Sequence, residues 1–391
     1  MLVDVVIEQR FYRCSNHFYW TENAFSYAFW TRYLLVFQAV AIVARVSHVD
    51  KPNKEWHRVD GDRVSFHELP IYIGPLGFIR NIPTIYRRLC QRRSIQRAVV
   101  LRVPGILSLM YQFFAMQRGQ AFAAEIVGDP LDTFSATASK HPLRPFIAHF
   151  FTRLLKKQCL EADATSYVTQ LSLQERYPPH PRRFSTHYSS IKLLDDDFNS
   201  VDSYSLQSPM KIICIGNLSQ PYKGCDAMLK CLALINKDSL KAKLQWVGGG
   251  ALLNEMQTLA KKLNVSEAVD FMGNVAERAD ISALIDSADV FVLSSRQEGL
   301  PRVLIESMAR SRLCIATNVG GVKELLDPRF IIERDDIEAL REKLLGMYAL
   351  SENERLEIAN RNYLKAKEYE DTALQDRRKR MYQTIYEQSQ S

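Results

Sequence analysis

Short apolar runs recur along this chain, and most are followed by a stretch whose apolar residues return every three or four positions. In the first half, residues 2–7, 39–46, 64–67, 98–103, 121–127 and 163–168 read as strands. Residues 26–36, 76–93 and 144–162 lie between them with helical spacing. In the second half the strand-like runs are 210–216, 244–247, 269–272, 288–293 and 313–317. Helical patterns cover 224–236, 252–263, 278–287, 337–347, 354–368 and 372–388, and a further helix is expected from Pro301, where a missing N–H costs nothing. Strand alternating with helix predicts an α/β protein built on doubly wound parallel sheets. Between the halves, residues 177–209 change texture, with Pro178, Pro179, Pro181, many serines and the acidic run Asp195, Asp196 and Asp197. This stretch is expected to carry the crossing between domains, with the boundary at 205/206, and the acidic run to be solvated.

A length of 391 residues exceeds what one core usually serves, so two domains are expected. Seven scattered cysteines, odd in number and without a C-x-x-C pair, argue for a reduced, cytoplasmic compartment and against a disulfide framework or a zinc site. No secretory leader opens the sequence as it stands, and the longest uncharged stretches, 33–44 and 103–117, fall short of a spanning helix. The net charge of +7 is placed unevenly: residues 1–200 hold 25 Lys and Arg against 17 Asp and Glu, the rest 26 against 27. The basic excess gathers around Arg87, Arg88, Arg92, Arg93 and Arg97 and around Arg153, Lys156 and Lys157, which suits contact with an anionic membrane surface or plain solvation. No aromatic-interleaved basic motif supports nucleic acid as a partner.

Residues 294–326 carry the chemistry. Glu298 and Glu306 stand eight positions apart across a polar loop and the helix that follows it. Eight residues of helix span roughly 12 Å, about the length of a sugar–diphosphate–ribose unit. The first carboxylate can accept hydroxyl protons from a sugar and the second from a ribose diol. Between them, the N–H groups of Gly299, Leu300 and Arg302 at a helix start form a cradle for a diphosphate. Read alone, Glu298 is equally a helix cap and Glu306 equally a solvated residue.

The stretch resembles the donor-site signature of family-4 glycosyltransferases, retaining enzymes of the GT-B fold, whose pattern is E-G-[FL]-[GP]-x4-E-[AS]-M-A. Glu298-Gly299-Leu300-Pro301 and Glu306-Ser307-Met308-Ala309 match it position by position. Upstream, the run from Ile215 through Gly216 and Asn217 to Lys223-Gly224 resembles the family's G-x-L…K-G segment, and Phe271-Met272-Gly273-Asn274-Val275 its F-x-G-x-V turn. The resemblance implies two Rossmann-like domains facing each other across a cleft. An acceptor domain would occupy 1–205 with the last helix, 372–391, packed back on it, and a donor domain 206–371.

It further implies metal-independent transfer, with retention, of a sugar from a UDP- or GDP-sugar to a glycan or lipid-linked acceptor, in cell-surface polysaccharide biosynthesis. No cofactor is implied, since the nucleotide-sugar is a substrate. Glu298 would meet the donor sugar, Lys223 the diphosphate, Glu306 the ribose, and Asn274 and Val275 the nucleobase. Gly216 and Gly248 would line the phosphate side. The family's arginine after its first glycine is replaced by Asn217, so Arg302 or Lys323 is the candidate for that basic contact. Ser311 stands where the family has a helix-ending glycine, at a cost of about 1 kcal/mol if it is left-handed.

In the first domain the family's paired glycines are missing, and His17, a candidate for acceptor contact, lies in the segment that takes their place. Asp129 replaces a strand-end histidine as the candidate for orienting sugar or acceptor, and Arg102 is a candidate for binding an acidic group. These departures leave room for a GT-B sugar-nucleotide epimerase or phosphorolytic enzyme, or for a non-catalytic GT-B binding protein.

Overall fold

A computed structural model describes residues 1–93, 96–133, 143–206, 208–237 and 240–390. These residues form two compact units: one from residues 1–133, 143–188 and 374–390, the other from residues 189–373. The first unit thus ends near Tyr188, and Ser189 onwards packs with the second.

The first unit holds β1 (Leu2–Cys14), β2 (Tyr19–Thr21), β3 (Ala39–Val49), β4 (His57–Arg58), β5 (Val64–Pro70), β6 (Ala98–Val103), β7 (Phe122–Ile126), β8 (Ala164–Tyr167) and β9 (Phe184–His187). Its parallel strands run in the order β5-β3-β1-β6-β7-β8-β9. Val3, Val5, Val6, Val99, Val100 and Leu101 are fully buried, because helices cover both faces of such a sheet and every position then needs an apolar side chain.

Three features differ from the pattern-based expectation. β1 runs on to Cys14, well past Ile7, because its polar distal half pairs with β3 and, through a hairpin, antiparallel with β2. Residues 26–36 form only a short helix, Tyr27–Trp30, and a 3-10 turn, Tyr33–Leu35, since Trp30, Tyr33 and Phe37 are drawn into the core by their rings rather than by helical period. Residues 177–209 are not a plain crossing: Phe184–His187 adds a strand, β9, at the edge of the sheet, where neighbouring prolines cost no ladder bonds.

The last helix, Asp371–Gln388, buries Leu374, Met381, Tyr382 and Ile385 in the first unit. Glu125 anchors it, accepting hydrogen bonds from Tyr382 (3.1 Å), Tyr188 (3.0 Å) and Tyr33 (3.1 Å) while paired with Arg102.

The second unit has six parallel strands: β10 (Met210–Ile215), β11 (Ala242–Val247), β12 (Val269–Gly273), β13 (Val290–Leu293), β14 (Leu313–Thr317) and β15 (Ile331–Ile332). Their order is β12-β11-β10-β13-β14-β15. The chain builds outward from β10 to β12 and then jumps back to β13, so the order reverses between β10 and β13. In sheets of this kind ligands bind outside the carboxyl ends of the strands at that reversal. Every residue of β13 and β14 is buried, and each Val, Leu, Ile or Phe there contributes about 1.5–3 kcal/mol by leaving water.

Candidate functional site

Two loops leave the sheet of the second unit at the reversal, residues 216–224 after β10 and 294–301 after β13. They are stitched together. The Arg296 amide donates to the Tyr222 carbonyl (2.6 Å), and the Ser294 hydroxyl donates to the Lys223 carbonyl (3.1 Å). The Arg296 guanidinium bonds the Pro221 carbonyl and pairs with Asp226 and Asp335 at 2.9 and 2.6 Å. Burial raises the Asp226 carboxyl, but Arg296 outweighs it and holds the group below the usual carboxylate range. Gly224 lets the loops touch: its φ is +72°, and a Cβ there would lie 2.0 Å from the Ser294 carbonyl oxygen.

This bracing brings Lys223 and Glu298 together. The Lys223 ammonium donates to Glu298 Oε1 at 2.7 Å, and the Ser295 hydroxyl donates to the same oxygen at 2.7 Å. Both charged side chains are mostly buried, 17% and 13% exposed, so the pair is held rather than solvated. Ser295 escaped the sequence reading, since a serine at a strand end carries no spacing signal.

The helix after the second loop is Arg302–Ala309, with Pro301 as its N-cap residue, one step ahead of the expected first turn. Among the described residues no protein group accepts from the N–H of Gly299, Leu300 or Arg302. The Gly299 carbonyl accepts from the Gly321 amide (2.8 Å), which ties the Gly299–Leu300 peptide to the turn after β14. Ser311, past the helix end, is left-handed at φ 56°, and its hydroxyl donates to the Asn199 carbonyl (2.7 Å).

Glu306 does not join the Lys223–Glu298 pair. It lines a pocket of about 240 Å³ with Arg302, Arg278, Arg310, Asp197 and Ile191. Its carboxyl accepts no hydrogen bond from the described residues. Burial pushes its pKa up; Arg302 and Arg278 pull it down less strongly, and Asp197 adds to the rise. Asp197 corrects the solvated acidic run: Asp195 and Asp196 are exposed, but Asp197 accepts from the Leu194 amide (2.7 Å) and pairs with Arg278 (2.8 Å). Arg278 went unnoticed in the sequence and Asp197 was read only as solvated, because residues far apart in the chain meet only after folding.

The remaining donor-side candidates fall at the carboxyl ends of β10, β11 and β12. The Gly216 carbonyl accepts from the Trp246 indole (3.0 Å), and Asn217 is exposed, accepting from the Ser219 amide (3.3 Å). The Gly248 amide donates to the Gly273 carbonyl (2.8 Å). The Asn274 side chain accepts from the Gly249 amide (2.8 Å), beside a half-buried Val275. Leu300 and Pro301 are buried, while Arg302 and Lys323 are exposed.

The first-unit candidates sit differently. Asp129 is buried, paired with Arg176, and accepts from the Tyr177 hydroxyl and the Leu131 amide (2.8 Å). Arg102 is engaged by Glu125 and faces the rings of Phe25 and Phe29. His17 lies exposed at the tip of the β1–β2 hairpin, at φ 66°, with Nδ1 3.1 Å from Arg13. Among the described residues no three His, Cys, Asp or Glu side chains group as a metal site.

Two doubly wound units with these strand orders, joined by a final helix that returns to the first, are the GT-B architecture. Residues 209–349, which make up most of the second unit, match the family described as Glycosyl transferases group 1. The chain is 24% identical to Protein CapJ of Staphylococcus aureus over 85% of its own length and 83% of that protein's. It is also 24% identical, over 72% of this chain and 74% of the relative, to the N-acetylgalactosamine-N,N'-diacetylbacillosaminyl-diphospho-undecaprenol 4-alpha-N-acetylgalactosaminyltransferase of Campylobacter jejuni. In fold it is similar to the sucrose-phosphate synthase of Thermosynechococcus elongatus, with a TM-score of 0.70 and 15% identity over 99% of both chains.

Proposed function

We propose that this protein transfers a sugar, with retention and without a metal, from a UDP- or GDP-sugar to a glycan or lipid-linked acceptor in cell-surface polysaccharide assembly, as a family-4 type enzyme. The observation that carries the reading is the braced Lys223–Glu298–Ser295 cluster at the strand-order reversal, beside N–H groups with no acceptor among the described residues. The diphosphate-undecaprenol name of the Campylobacter relative supports the lipid-linked acceptor.

In the reaction the bond from the anomeric carbon to the diphosphate breaks and an acceptor oxygen takes its place. The acceptor's hydroxyl proton leaves with the released diphosphate. Negative charge grows on the leaving oxygens, and the Lys223 ammonium and the Gly299, Leu300 and Arg302 amides stabilise it in place, with no reorganisation at the moment of bond cleavage. Glu298 exchanges its lysine contact for the donor sugar's hydroxyls, and Ser295 keeps the carboxylate aimed. Glu306, unpartnered on its pocket wall, accepts from the ribose diol.

Incubation with a panel of UDP- and GDP-sugars and lipid-linked acceptors, read by NMR of the product's anomeric proton, tests the reading. We expect transfer with the donor's configuration kept, and Glu298→Gln to lower kcat by roughly 100-fold or more. An inverted product would overturn retention, and undiminished turnover in Glu298→Gln would overturn the site.

A further inference from the structure

Helix Gly74–Cys90 of the first unit is apolar on two sides. Ile85 and Leu89 are buried against the sheet, with Phe78 packed beside them. The opposite side should be polar on a solvated helix. Instead it presents Leu76 (74% exposed), Ile79 (59%) and Tyr86 (48%), preceded by Ile73 at 77%. Arg80 and Arg87 fall on the same outward side, and both are exposed.

The charge around this helix is one-signed. From residue 69 to residue 124 there are eight arginines and no Asp or Glu. Arg92 and Arg97 are paired with Asp4, and Arg102 with Glu125. Arg80, Arg87, Arg88, Arg93 and Arg118 are exposed and form no ion pair among the described residues.

A second apolar stretch lies on the same face. The steps β5 to β6, β6 to β7 and β7 to β8 all cross the sheet in one direction, so right-handed connections put their helices on one side. The Tyr86 and Phe114 rings meet at 5.1 Å, and Gln158 donates to Gln112 at 3.0 Å, which links the three helices in a row. On the third, Arg144–Glu161, Phe146 is 78% and Phe150 58% exposed, with Arg153 and Lys156 also exposed. Both outer helices start at the carboxyl ends of the strands, so Leu76, Ile79, Phe146 and Phe150 crowd toward one end of the face.

Large apolar side chains interleaved with exposed arginines that form no ion pair among the described residues complement one surface well, and the acid on the third helix, Glu161, is engaged by Lys157 and Gln112. Anionic headgroups meet the guanidinium groups, and the side chains enter the layer beneath. No helix among the described residues is long and apolar enough to cross a membrane, so the contact is with a bilayer surface. We propose that this face of the first unit, centred on Leu76, Ile79, Arg80 and Arg87, docks on an anionic lipid bilayer. The inference stands apart from the donor-site reading, since it uses none of that site's residues.

Flotation of the full chain with phosphatidylcholine vesicles, with and without phosphatidylglycerol, tests it. We expect binding at least about tenfold tighter with the anionic lipid, weakening as salt is raised. The pair Leu76→Ser and Ile79→Ser should lower that binding about tenfold, and Arg80→Gln with Arg87→Gln by a similar factor while restoring indifference to salt. All four positions are solvent-facing, so melting temperatures should stay unchanged, which separates lost docking from lost fold. Equal binding to the two vesicle types, or full binding by both variants, would overturn the proposal. So would a concentration-dependent dimer in sedimentation velocity that Leu76→Ser and Ile79→Ser abolish, because the face would then belong to a second copy of the chain.

Discussion

Glu306 shows how a single carboxylate can cost stability where a bound ligand would use it. Its pocket disfavours the charged form, and its two neighbouring arginines do not fully compensate. A folded pKa above the unfolded one means that the folded chain holds more protons in the interval between them, so stability from this group is present at low pH and lost as pH rises through the interval. At neutral pH the ionised side chain is therefore a liability to folding. Glu306→Gln should raise the melting temperature at pH 7 by about a degree or two, and the gain should vanish on acidification below the ordinary Glu range near pH 4. A lower melting temperature at pH 7 would show that Arg302 and Arg278 dominate. The sequence showed Glu306 by its motif, but not this environment: Arg278 and Asp197 reach the pocket from segments whose local pattern gives no hint of meeting.

At the scale of elements, the loops do the positioning. Glycine motifs were legible as motifs, but whether each serves a ligand or the fold depends on what faces it. Gly320 is decided by the structure. It has φ +48°, and a Cβ there would fall 2.1 Å from the Gly299 carbonyl oxygen and 2.3 Å from that of Glu298. Gly320→Ala should thus cost about 2 kcal/mol or more, and lower transfer further by shifting the Glu298–Gly299 peptide. Gly346, inside helix Ile337–Ala349 with nothing within 4 Å of a Cβ, is the contrast. There alanine should stabilise by about 0.5–1 kcal/mol, measurable by urea unfolding. Equal effects at the two positions would refute the bracing role. Ser311 has the left-handed conformation for which the motif raised a cost, and its hydroxyl bonds the Asn199 carbonyl. Helix Ile106–Phe114 escaped notice because its run is apolar almost all round, with Leu107, Met110 and Tyr111 buried and Phe113 exposed, which leaves no period to read.

At the scale of the whole molecule, the second unit was the more legible, because β13 and β14 are apolar almost throughout and its loops carry a dense motif. The first unit was less so. Its β1 turns polar in the distal half that pairs with β2 and β3, and the edge strand β9 hides in a proline-rich segment. One of its buried polar clusters gathers Tyr33, Tyr188 and Tyr382 on Glu125, with Tyr382 lying 257 residues from Glu125, a separation no local pattern spans. That cluster also engages Arg102, which sequence placed near an acceptor. The donor chemistry proposed above would be concentrated in a unit with its own core, so it can be tested there without knowing the acceptor. The most direct measurement is calorimetric titration of UDP and GDP into the wild type and Glu306→Gln. The expected result is binding of at least one nucleotide to the wild type, weakened roughly 10- to 100-fold by the substitution. Binding of neither nucleotide, or equal affinity in both proteins, would contradict a donor site on this helix.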